Sequence, residues 1–201
     1  MKMKTCFWIL FLGFTTASFA QDRNTRDLLK EIEGQWALNE SGNVEYQRII
    51  EAPGVEQDEI FNRVLDFFLY YYSMGNSVVQ TEDRVLNRIV GKGIFDDVHS
   101  TFFPNNYVDC RHNIAVDIKD GRARASLVLT EFENELIMDY SSIFQTFKVA
   151  DSYPVNPDGK TKNKMGKAFY KSHFAALEAL DALERSIKQG TYADQRLKDE
   201  W

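Results

Sequence analysis

The feature that most constrains this chain is Asp120-Gly121, set between two runs in which apolar and polar residues alternate, Asp109 to Lys119 and Arg122 to Phe132. Asp-Gly suits a two-residue hairpin loop with the positive φ angles of a type I′ turn, and a loop of that length sets the register of both strands. The register places Ile118 opposite Ala123, Val116 opposite Ala125, Ile114 opposite Leu127 and His112 opposite Leu129, large against small along one apolar face. On the other face Asp117 meets Arg124, Ala115 meets Ser126 and Asn113 meets Val128, so opposite charges are adjacent.

Period separates the other elements. Val44 to Ile50 alternates and is expected as a strand, joined to a shorter one at residues 36–38 through Asn39-Glu40-Ser41-Gly42-Asn43. From Glu56 the apolar residues Ile60, Phe61, Val64, Leu65, Phe68, Leu69 and Tyr72 recur at three- and four-residue steps, which predicts an amphipathic helix with Asp58 and Glu59 at its positive end. Residues 77–82 and 88–95 are expected as strands around a five-residue loop. Gly91 and Gly93 share a strand face, where they leave room for a helix or a bulge; Gly-Lys-Gly lacks the following Lys-Ser/Thr of a phosphate loop. Residues 96–106 are expected as a connection and 150–164 as a polar loop. Residues 136–147 mix apolar and polar residues without a clean period and are expected as a short helix or a covering strand. Phe169, His173, Ala176, Leu177, Leu180, Leu183 and Ile187 mark a C-terminal helix that Gly190 stops. Asp22 to Gly34 is expected as a short or frayed helix.

The fold class this implies is α+β: an antiparallel sheet with two helices packed on one face, in the order β-α-β4-α, and the other face left to water or a partner. Residues 1–20 are expected as a signal peptide, with Lys2 and Lys4 before the apolar run and small residues Ser18 and Ala20 before a cleavage site; the run is too short to span a bilayer, and Cys6 lies at its start, where no lipid attachment motif would put it. Residues 21–43 are then an N-terminal extension, 44–190 a single domain and 191–201 a C-terminal tail. The protein is thereby expected to be secreted or periplasmic, with no membrane span.

Composition bears on partners. The 24 Lys and Arg against 30 Asp and Glu give −6, and loss of Lys2 and Lys4 with the leader makes this −8. An acidic exported chain has no general attraction to phosphate backbones or anionic lipid, so nucleic acid is not an expected partner. Cleavage also leaves Cys110 as the one cysteine, which excludes an internal disulfide.

The segments GNVEYQRIIEAPGVEQDEIFNRVLDFF, residues 42–68, and SVVQTEDRVLNRIVGKGIF, residues 77–95, resemble a family of secreted bacterial proteins described as a domain of unknown function with a TATA-binding-protein-like fold. The resemblance implies the fold and brings no catalytic residues with it. DNA recognition does not follow, because a minor-groove saddle needs basic residues and apolar wedges, whereas the open hairpin face carries Asp109, Arg111, Asn113, Asp117 and Arg124.

Candidate chemistry is sparse. Cys110 and His112 share parity with Ile114, Val116 and Ile118, which sends them toward the helices, where a lone cysteine is a small hydrophobe. Asp96, Asp97 and His99 stand close together in a connection without a recognised ligand spacing. No catalytic residue, cofactor or metal is therefore assigned. Two classes of function stay open: a non-catalytic module that binds a protein, peptide or glycan partner in the envelope or outside the cell through its open sheet face, with Arg111, Asn113, Asp117, Arg122 and Arg124 as ligand-binding residues; and an envelope hydrolase whose site is assembled from dispersed polar residues, with Asp96, Asp97 and His99 as its nucleus.

Overall fold

The computed structural model describes residues 25–72, 78–102, 105–138 and 141–190. The expected leader, residues 1–20, and the tail, 191–201, lie outside them. Residues 25–31 form a helix, α1, after which the order is β1 (Ala37–Leu38), β2 (Val44–Glu51), α2 (Gln57–Tyr71), β3 (Val78–Asp83), β4 (Arg88–Thr101), β5 (Asn105–Lys119), β6 (Arg122–Met138), β7 (Ser141–Lys148) and α3 (Lys162–Gln189). All strand pairs are antiparallel, in the order β1-β2-β6-β5-β4-β3, with β7 also on β6. None of the described helices is long and apolar enough to cross a membrane.

The sheet is built on the β5–β6 hairpin, with the expected register from Ile118↔Ala123 to His112↔Leu129. Its loop is not the expected type I′ turn, since Gly121 has φ +69° and Asp120 has no positive φ. A tertiary contact accounts for the difference. Gly121 N–H donates to the Val55 carbonyl at 3.1 Å, Ala52 N–H donates to the Gly121 carbonyl at 2.7 Å, and the Asp120 carboxylate accepts the Gln57 N–H at 3.1 Å. The Asp120 side chain thus takes one of the otherwise unpartnered N–H groups in the first turn of α2, whose own N-cap residue, Glu56, makes no side-chain cap.

Beyond His112 the register shifts by one residue, and Arg111 pairs with Glu131. The extra residue lies on β6, so β5 keeps its alternation down to Cys110 and Val108, while buried β6 positions pass from Leu129 to Phe132 and Asn134. Such a bulge bends its strand. The outer edge of β6 is divided between two strands: β2 pairs with residues 122–128 and β7 with residues 131–138. The described residues within 136–147, ambiguous from sequence, are therefore the end of β6 and most of β7. The expected connection over 96–106 is also mostly strand. β4 passes through an irregularity between Phe95 and His99, where Asp97 has φ +51°, and continues to Thr101.

Helices α2 and α3 cover one face of the sheet. Ile60, Phe61, Val64, Phe67 and Phe68 of α2 and Ala168, Phe169, Ala176, Leu180 and Leu183 of α3 are buried with Ile114, Val116, Leu127 and Leu129. The α2 stripe departs from expectation at two positions: Phe67 is buried and Leu69 is 61 % exposed. Gly91 and Gly93 make the close approach of α2 possible: a Cβ on Gly91 would lie 2.4 Å from the Phe68 ring, and one on Gly93 2.7 Å from Tyr72 and 2.6 Å from His112. Residues 25–38 join the same core. Ile32 has no exposed surface, and Trp36 sets its ring edge-on to Phe169 at 5.1 Å.

Candidate functional site

With both helices on one side, the polar residues of β2, β4, β5 and β6 form an open face. All five residues singled out from sequence lie on β5 and β6, but not in one cluster. Asp117 is held between Arg88 at 3.2 Å and Arg124 at 2.8 Å. Arg122 lies opposite Lys119 on β5 and Glu51 on β2. Asp117, Arg122 and Arg124 line, with Ile49 and Lys119, an open depression of about 230 Å³ at the hairpin end of the face. Arg111 is six residues along β5 from Asp117, a rise of about 20 Å. There its Nε donates to Glu133 Oε2 at 2.8 Å and Nη2 makes a second, shorter bond to the same oxygen. Asn113 lies between the two groups, next to Val128 and Lys92.

Charge differs along this face. Arg88, Lys119, Arg122 and Arg124 gather at the hairpin end, where Asp117 offsets part of their charge. Asp109, Glu131, Glu133 and Glu135 gather at the far end around Arg111. Partial burial and then the neighbouring Asp96, Asp97 and Glu133 carboxylates hold the Asp109 carboxyl above its ordinary range, against the Asp97 N–H that donates to it at 2.8 Å. Lys119, Arg88 and Ile49 were not among the residues named from sequence. Parity with Asp117 was signal enough for Lys119; Arg88 and Ile49 arrive from other strands, and only the pairing of β4 and β2 shows them.

The other candidates have different settings. His99 pairs with Val108, a fully buried residue, and so belongs to the helix side of the sheet, where burial and then Lys167, Lys171 and Lys164 keep its pKa below the ordinary value. Asp97 is tied by its backbone to Asp109, on the opposite face. The structure therefore does not assemble the Asp96, Asp97 and His99 nucleus, and among the described residues no three His, Cys, Asp or Glu side chains are arranged to hold a metal ion. Cys110 is fully buried, and burial pushes its thiol up to about 12, far from the thiolate a nucleophile requires.

Two buried tyrosine–histidine pairs cross the layer between sheet and helices. Tyr72 of the α2 C-terminus meets His112 Nε2 at 2.8 Å, and Tyr46 of β2 meets His173 Nδ1 of α3 at 3.1 Å. The Phe95 ring stacks on His112 with centroids 3.9 Å apart. Burial lowers the pKa of both imidazoles, that of His112 to about 4. Each pair adds a buried polar contact between a helix and the sheet, and α3 is tied to the sheet further by Arg48 with Asp181 and Glu184 and by Lys164 with Asn106 and Asn134. Neither pair opens on a described cavity, and the arrangement is one of packing.

No curated protein matches the chain significantly. Two solved structures resemble it: a TBP-like protein from Parabacteroides distasonis ATCC 8503, at 16 % identity over 74 % of this chain and 97 % of that one with a TM-score of 0.52, and a DUF4468 family protein from Bacteroides ovatus ATCC 8483, at 12 % identity over 76 % and 91 % with a TM-score of 0.55. At these identities the likeness is one of fold, and it extends beyond the segment that carries the sequence signature. That segment, residues 46–133, runs from β2 through the far half of the β5–β6 hairpin and matches the family described as a domain of unknown function (DUF4468) with TBP-like fold.

Proposed function

We propose that this chain is a secreted or periplasmic, non-catalytic module that binds a protein, peptide or glycan partner in the envelope or outside the cell through its open sheet face, with Arg111, Asn113, Asp117, Arg122 and Arg124 among the contacts. One observation carries the reading: both long helices lie on one side of the sheet, and the uncovered side presents Ile49, 67 % exposed, beside Arg124, whose side chain is 63 % exposed. An apolar side chain among guanidinium, ammonium and carboxylate groups is the composition of a recognition surface, where arginine supplies planar, multi-donor contacts. The depression there is shallow and joined to solvent, which suits an extended or flat partner better than an enclosed small molecule. The leader over residues 1–20 supports an address outside the cytoplasm.

The test is a native pull-down from the envelope and medium fractions with wild type and with the variant carrying Arg111→Ser, Arg122→Ser and Arg124→Ser. The three arginines are exposed, so the variant should melt within a few degrees of wild type. It should lose a partner that wild type retains. Equal recovery of the partner by both proteins overturns the assignment of this face.

A further inference from the structure

A strand at the border of a sheet presents unpaired N–H and C=O groups and invites another strand unless something blocks it. Five described stretches border this sheet, and four are blocked. β1 has two residues; the part of β2 beyond it, residues 46–51, carries Arg48 and Glu51; β3 ends in Glu82-Asp83 and breaks register between Val79 and Thr81; and the part of β4 beyond β3, residues 93–101, carries Asp96 and Asp97 and is irregular between Phe95 and His99. β7 has none of these devices. It pairs with β6 in unbroken register over all eight residues, contains no proline or glycine, and carries no charge from Ser141 to Phe147. Its side chains from 141 to 146 are exposed on both faces, among them Ile143 at 43 % and Phe144 at 62 %.

We propose that β7 pairs antiparallel with β7 of a second copy of this chain, about a two-fold axis perpendicular to the sheet, so that two sheets join edge to edge. The sequence of β7 suits pairing with itself. A perpendicular two-fold keeps the open faces of both copies on the same side and sets one residue of each strand opposite itself. With Phe144 on the axis, Phe144 of one copy meets Phe144 of the other as an aromatic cross-strand pair, Ile143 meets Gln145 and Ser142 meets Thr146. Lys148, the only charge of the strand, falls beyond the end of the other copy's strand. Repulsion from elsewhere is weak. The nearest row of carboxylates, Glu131, Glu133 and Glu135, lies on β6. The two β6 strands would be three strand spacings apart, about 14 Å, beyond the ~8 Å screening length of physiological salt. Among the described residues β7 is the one edge without a charge, a bulge or a very short length to guard it, so pairing closes at the dimer. This inference is independent of the open-face reading, because β7 carries none of the five residues assigned there.

The experiment is sedimentation equilibrium of the chain from Gln21 to Trp201 over a hundredfold range of concentration, with circular dichroism of each protein. Wild type should be a dimer that dissociates on dilution. Ile143→Lys and Phe144→Lys, which place a charge of the kind that guards natural edges on either face of β7, should each be monomeric throughout with an unchanged spectrum. Thr81→Lys on the β3 edge should leave the dimer intact. If one β7 variant fails to fold, Gln145→Lys replaces it. A wild type that is monomeric at every concentration overturns the proposal, as does one that polymerises or pairs only with an added foreign peptide. Folded β7 variants that dimerise like wild type, or loss of the dimer in Thr81→Lys, overturn it too.

Discussion

His112 shows how a residue read correctly for burial acquires a consequence only from its neighbours. Alternation with Ile114 and Val116 placed it inside, and it is 1 % exposed, but the Tyr72 hydroxyl on Nε2 and the Phe95 ring on its face come from other elements. Its pKa is pushed down to about 4 by burial, so the unfolded chain takes up the proton first as pH falls. The stabilising contribution of the neutral ring is complete above the ordinary value near pH 6.5, declines as pH falls toward about 4 and changes no further below it. Between pH 7.5 and 4.5 this group should account for about 2–3 kcal/mol of lost stability. Urea unfolding at both values should show a loss smaller by that amount in His112→Gln than in wild type; equal losses would mean that His112 is not held neutral. Cys110 obeys the same alternation and needs no such partner, since a thiol behaves as a small apolar group.

At the scale of the element, helix α2 shows what periodicity can and cannot resolve. Ile60, Phe61, Val64 and Phe68 recur at helical spacing and are all buried, yet the same spacing admits Leu69, which is 61 % exposed, and passes over Phe67, which is 3 % exposed. The burial arc is set by where the helix rests. Phe68 settles over Gly91 and Tyr72 over Gly93, and this contact rotates Phe67 inward and Leu69 out. Phe68→Ala should therefore cost about 3–5 kcal/mol, as deletion of a buried ring does, and Leu69→Ala should stay within about 0.5 kcal/mol. Denaturant midpoints of the two variants measure the difference, and comparable losses would contradict the orientation of α2. The hairpin makes the same point at its tip, where Asp120-Gly121 determines loop length and register, while the α2 N-terminus and the Val55 carbonyl determine the loop's conformation.

For the whole molecule, the expected N-terminal extension shares the core, and Ile32 tests this directly. Ile32→Ala should destabilise the protein by about 2–4 kcal/mol, the cost of a cavity at a fully buried aliphatic site; a silent substitution in thermal or urea unfolding would show residues 25–38 to be an appendage. The sequence alone determined the α+β class, the β5–β6 register, the inward parity of Cys110 and His112, and the two-helix cover, because turn chemistry and the two periods act over a few residues and leave a local signature. Tertiary structure alone decided that β2 and β7 share the outer edge of β6, that Asp120 caps a helix 63 residues away, that His99 lies on the helix side while the Asp97 N–H is tied to Asp109 of the open face, and that Arg111 stands apart from Arg122 and Arg124. Each of those outcomes depends on which distant backbone reaches a free hydrogen-bonding edge or a space left by glycine, and that choice leaves no period in the chain to read.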